Sequence, residues 1–196
     1  MTAREQAEYS ALRATIRERG TARVCVFAGG IAAWAAAAIA TAVLAPAPVA
    51  TLLPLLVLAS VFEAIFALHV AVERLGRYIQ VFHETRGAGE SGGTGGAGGT
   101  SESGGWEHAA MAFGRPAGAA TNDALFTVPF LLAALLNIAQ AMLLAPTRVE
   151  LVFVGGAHAL FVLRLIVARR AAAKQRAIDL ARFTQLRDGP TYTTRL

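Results

Sequence analysis

The sequence predicts an all-α polytopic membrane protein: four transmembrane helices in two hairpins, with cytoplasmic helical extensions. Three observations carry this reading. Of the 196 residues, 55% are hydrophobic and only 16% charged, whereas soluble domains carry closer to a quarter charged residues. Four apolar runs of about twenty residues are each long enough for a hydrocarbon core of about 30 Å at 1.5 Å per residue. The basic residues, apart from Arg164 toward the end of the fourth run, fall outside those runs in a one-sided pattern. All of the 18 Lys and Arg except Arg148 lie before the first run, between the second and third, or at and beyond the end of the fourth. The positive-inside rule then places both termini and the middle loop in the cytoplasm, in a plasma (inner) membrane protein.

The elements follow in order. Residues 1–86 form the first hairpin. An N-terminal helix, with Tyr9, Leu12, Ile16 and Arg23 at helical spacing, continues into a first span at about 24–44. The small residues of Leu44–Ala50 resemble a cleavage site, but the preceding apolar stretch and basic leader are too long for a standard signal peptide, so a retained anchor is expected. The second span, about 49–72, runs on to about Glu84 with Leu75, Ile79 and Phe82 as an apolar stripe. Residues 87–105 hold ten glycines in nineteen positions and read as a flexible cytoplasmic linker, because they cannot bury enough apolar surface to fold. Gly87, Gly89 and Gly92 spell a formal GxGxxG, but no strand precedes it and no helix opens on it.

Residues 106–196 form the second hairpin. Trp106–Phe113 reads as a short interfacial helix, and Thr121, Asn122 and Asp123 supply caps before a third span at about 124–145. The fourth span, about 149–168, continues through Ala171–Leu186 as a helix with Ile178, Leu180, Phe183 and Leu186 apolar. The three extensions on one side are expected to pack together. Gly29, Ala33, Ala37 and Thr41 recur every four residues in the first span, with Gly155 and Ala159 in the fourth. Such small-residue rows let helices approach closely in lipid, within the fold or between copies.

Glu63 is the sharpest functional clue, because a carboxylate near the centre of an apolar run is costly unless a partner neutralises it. Counting 1.5 Å per residue puts Glu63 about 1.5 Å, and His158 and Asn137 each about 4 Å, from the bilayer centre. Gln140 lies one turn from Asn137 on the same face, and Arg164 two turns inward of His158. Glu63, His158, Asn137, Gln140 and Arg164 are therefore the candidate intramembrane polar site. Two readings compete for it: helix-to-helix glue, or a proton relay between Glu63 and His158. A second cluster, His69, Glu73 and Arg77, lies at the cytoplasmic end of the second helix at i, i+4 spacing. It suits an ion pair more than a metal site, since a di-iron bundle repeats Glu-x-x-His on two helices.

No GxSxG or HExxH motif occurs, and Cys25 has no histidine near it in sequence. The expectation is a non-enzymatic scaffold, subunit or accessory protein without a cofactor. Its partners would be the bilayer, anionic headgroups at the cytoplasmic face, and either a second copy or another membrane protein. Nucleic acid is not expected, because the basic residues are not interleaved with exposed aromatics. The alternative class is a transporter, channel or proton-coupled sensor built around Glu63 and His158.

Overall fold

The computed structural model describes residues 2–84 and 122–188, and all regular structure among them is helical, with no strand. Helix α1 spans Ala3–Leu44, a 3₁₀ turn Pro48–Thr51 leads into α2 at Leu52–Ile79, and a π-helical turn Gln80–Glu84 follows. Helix α3 spans Asn122–Leu143 and α4 spans Arg148–Asp188. The glycine-rich segment 87–105, the expected helix at Trp106–Phe113 and the cap residue Thr121 lie outside the described residues.

The helix ends have local causes. At the start of α1 the Thr2 N–H donates to Glu5 Oε2 at 2.8 Å, and the Glu5 N–H donates to Thr2 Oγ1 at 3.3 Å. Thr147 and Glu150 repeat the arrangement at the start of α4, at 2.9 and 3.3 Å. Each pair satisfies two amides that have no partner within the helix. Pro54 lies in the first turn of α2, where its missing N–H removes no helical bond. The third span is expected to reach about residue 145. Helix α3 stops at Leu143, Ala145 adopts the left-handed conformation with φ 50°, and Pro146 follows. A residue before proline disfavours the helical conformation, which explains the stop.

Among the described residues, three segments are long and apolar enough to cross a membrane: α1, the stretch Pro48–His83, and α4. The apolar stretch described in α3, Thr127–Leu143, is shorter.

The chain divides into two compact units. One joins Arg19–Val70 to Ala120–Ala172. Its core is Leu55, Leu58, Phe62 and Ile65 of α2, Phe130, Ala133 and Ala134 of α3, and Phe161, Leu165 and Ala168 of α4, with Phe27, Ile31 and Trp34 of α1 against it. Phe62 is the hub: its ring meets Phe130 at 5.4 Å and Phe161 at 6.2 Å, both edge to face. The opposite faces are also apolar and are exposed, with Leu53, Leu56, Leu132, Leu136, Phe153 and Leu160 pointing outward. Helices apolar on both faces suit a lipid surround, not water.

The small-residue row expected to pack α1 does not do so at Gly29, which has open space around it, as does Gly155. Gly30 is the contact glycine: a Cβ there would overlap the Val61 side chain. Gly29 is turned about 100° away from Gly30 on the helix.

The other unit contains residues 2–18, 71–84 and 173–188 among those described. Ile79 and Val81 are buried in it, and Tyr78, Phe82 and Phe183 form an aromatic cluster with ring centroids 4.7–6.3 Å apart. The stripe expected at the end of α4 is only partly inward. Ile178 and Leu186 are exposed, while Asp179 is buried on that helix. Gln175, Arg176, Asp179 and Phe183 share the packed face, and charge pairing sets that face.

Candidate functional site

Five polar groups of the first unit come from three helices, α2, α3 and α4. Arg164 of α4 grips Glu63 of α2 with both arms of its guanidinium, Nε to Oε1 at 2.7 Å and Nη2 to Oε2 at 2.8 Å. The planar fork of arginine matches a carboxylate in this way. The guanidinium carbon also lies 5.4 Å from the centre of the Phe66 ring. The pair is not enclosed: the side chains are 41% and 48% exposed for Arg164 and Glu63. Beside it runs a shallow groove between α2 and α4, lined by Leu52, Leu55, Leu56, Ala59, Ala157 and Phe161.

His158 and Asn137 are buried together instead. Asn137 Nδ2 donates to the Thr51 carbonyl at 2.8 Å and lies 3.0 Å from His158 Nε2. The other His158 nitrogen, Nδ1, lies 2.7 Å from the Val154 carbonyl. Only one tautomer fits both ends: an amide nitrogen and a carbonyl require Nε2 to accept and Nδ1 to donate. Both imidazole nitrogens are then engaged, and the group ties α4 and α3 to the turn before α2. Gln140 Nε2 reaches the Ala38 carbonyl of α1 at 3.4 Å.

The five candidate intramembrane residues thus resolve into separate arrangements: Glu63 with Arg164, His158 with Asn137, and Gln140 with α1. Glu63 is not brought to His158. Six positions separate His158 from Arg164 on α4, a rotation of about 120°, so one faces the core while the other faces outward.

His69, Glu73 and Arg77 part in the same way. His69 Nδ1 lies 3.1 Å from Arg23 Nη1, within the first unit. In the second unit Glu73 meets two guanidiniums, Arg77 Nη2 at 3.2 Å on Oε2 and Arg176 Nη2 at 2.5 Å on Oε1. Arg77 is 1% exposed and also faces Asp179 at 3.8 Å. Arg74 reaches Asp179 at 3.6 Å. Burial pushes the Arg77 guanidinium below its usual range, and Glu73 and Asp179 oppose that. In the same unit Tyr78 donates its hydroxyl to Glu8 Oε1 at 2.8 Å. Burial, that hydrogen bond and the Glu8 charge raise the Tyr78 pKa above 10.0.

Arg176, Asp179, Glu8 and Thr51 are parts of these arrangements that the sequence reading did not single out. Asp179 had one available signal, since it stands a turn from Gln175 and Arg176 in an otherwise alanine-rich helix. Thr51 had none, because it contributes a backbone carbonyl.

Comparison with protein-family models, with curated proteins and with solved structures gave no match. The functional reading therefore rests on the geometry of these groups.

Proposed function

We propose that this chain is a small non-enzymatic component of the plasma (inner) membrane, a scaffold, subunit or accessory protein that associates laterally through its helices. In this reading all four helices cross the bilayer as two hairpins, with both termini and the glycine-rich loop cytoplasmic. The observation that carries it is the Glu63–Arg164 pair, neutral as a whole yet half-exposed on an apolar helical surface. A charge pair facing acyl chains is costly compared with two apolar residues, and a polar contact from a neighbouring helix offsets that cost. The buried polar groups support the same class. His158, Asn137 and Gln140 are used in helix-to-helix hydrogen bonds, which suit a fixed bundle better than a moving proton.

The test is a photoreactive amino acid placed at Leu56, which is 63% exposed beside the pair. Irradiation in native membranes should give a protein–protein adduct that disappears in the Glu63→Gln/Arg164→Gln variant. Adducts with lipid alone would overturn lateral association. Proton flux through liposomes containing the chain, abolished by Glu63→Gln, would instead establish the transport reading.

A further inference from the structure

We infer that the outer face of α2 and α4 is a self-complementary interface, and that its occupant is a second copy of this chain, inserted in the same orientation. The inference rests on the lateral association proposed above and names its partner.

The argument starts from the unused hydrogen-bonding capacity of the exposed pair. A guanidinium has five N–H donors and a carboxylate about four acceptor positions. The bidentate contact of Arg164 with Glu63 uses two of each. Three donors and two acceptors are left on a surface whose exposed neighbours are Leu56, Leu160 and Val167 together with Ser60, whose hydroxyl is already given to the Leu56 carbonyl. Lipid chains offer neither donors nor acceptors. The partner therefore has to present both a donor set and an acceptor set at one depth, side by side. The chain itself carries such a pair.

Symmetry fixes how two copies would meet. A two-fold axis along the membrane normal keeps both copies at the same depth and turns each face toward the other. The Glu63 of one copy then stands opposite the Arg164 of its partner, and the reverse. Each carboxylate lies between two guanidiniums in a four-charge square, with the intramolecular pairs intact. The shape beside the pair is compatible with this. The half-buried Ala59 and Ala157 line the groove together with the buried Leu55 and Phe161, while Leu56 and, on α4, Leu160 are 63% and 68% exposed. A groove lined in part by small residues can receive the exposed leucines of an identical face.

A charge-exchanged variant tests the point. Glu63→Arg/Arg164→Glu keeps an ion pair within each copy and opposite charges across a two-fold dimer of the variant. Paired with wild type it sets Glu63 against the introduced glutamate and Arg164 against the introduced arginine. Two differently tagged full-length chains are co-expressed, solubilised in mild detergent and captured by one tag. Wild type with wild type, and variant with variant, should co-purify, and the mixed pair should fall at least tenfold. Circular dichroism of the variant checks that it remains helical. Equal capture of the mixed pair, or no capture of wild type by wild type, overturns the dimer. In that event the adduct from Leu56 separates the two claims. An adduct with a different protein leaves lateral association standing without the dimer, and lipid adducts alone remove both.

Discussion

At the scale of single residues, the environment of an ion pair decides what it is worth. An exposed pair in water contributes about 0–1 kcal/mol, because both charges are well solvated when apart. A pair facing lipid behaves differently, since removing one partner strands the other in a medium that cannot solvate it. Glu63→Gln alone should therefore cost about 2 kcal/mol or more, and adding Arg164→Gln should recover most of the loss. A double-mutant cycle by denaturation in mixed micelles measures this, and a coupling below about 0.5 kcal/mol would mean the pair sits in water. Tyr78 gives a second residue-level prediction, through pH. Its folded pKa lies above the unfolded value of 10.0, so the folded state holds its proton more tightly than the unfolded one. The stability this contributes is complete below pH 10 and is lost as pH rises through the folded value. Absorbance titration of the phenolate should show one tyrosine titrating late, and Tyr78→Phe should remove that component. A late tyrosine that persists in Tyr78→Phe would refute the assignment.

At the scale of elements, the close approach of α1 to α2 at Val61 depends on one glycine. Val61 is branched at Cβ and stiff, so it cannot swing away from a methyl group added at Gly30. Gly30→Ala should destabilise the chain by about 1–3 kcal/mol, the usual range for overpacking. Gly29→Ala, in open space, should be neutral or slightly stabilising through helix propensity. Gly30→Ala combined with Val61→Ala should regain stability, and thermal unfolding of the four proteins decides. A Gly30→Ala variant as stable as Gly29→Ala would show that the helices are not in contact there. This pair of glycines also marks how far the sequence could be read. Length and apolarity located the helices, since those properties are local sums along the chain. The cap at Thr147 was equally local, and its Thr-x-x-Glu spacing was there to be read. Which of two adjacent glycines faces the neighbour depends on how α1 is rotated, and a run apolar on every side does not record its own rotation. The same gap explains Glu63 and His158. Counting depth brought them to one level, but their directions around α2 and α4 sent them to different partners. Asp179 was hidden for the opposite reason, because burial of a carboxylate is set by Arg74 and Arg77, about a hundred positions away in sequence.

At the scale of the whole molecule, the open quantity is the number of crossings, and charge placement makes it testable. With a cytoplasmic N-terminus, crossings by α1, α2 and α4 alone would leave the C-terminal segment outside. Arg169, Arg170, Lys174, Arg176, Arg182 and Arg187 would then have been translocated, against the bias that sets orientation. Adding a crossing by α3 returns them all to the cytoplasm and leaves Arg148 as the one basic residue outside. Helix α3 has 22 residues, about 33 Å at 1.5 Å per residue, enough to reach across a core of about 30 Å. Three single-cysteine variants in a Cys25→Ala background distinguish the two counts. Ala47→Cys lies in the turn between α1 and the 3₁₀ segment, Gly95→Cys in the glycine-rich loop, and Gln185→Cys near the end of α4. Intact cells treated with a membrane-impermeant maleimide should label Ala47→Cys alone. Permeabilised cells should label all three. Labelling of Gln185→Cys in intact cells would mean three crossings and a translocated C-terminus. Labelling of Gly95→Cys from outside would invert the first hairpin. The first result would also remove the proposed depth match that puts Glu63 of one copy opposite Arg164 of another, because α2 and α4 would then run through the bilayer in opposite directions, whereas inversion of both hairpins together would keep it.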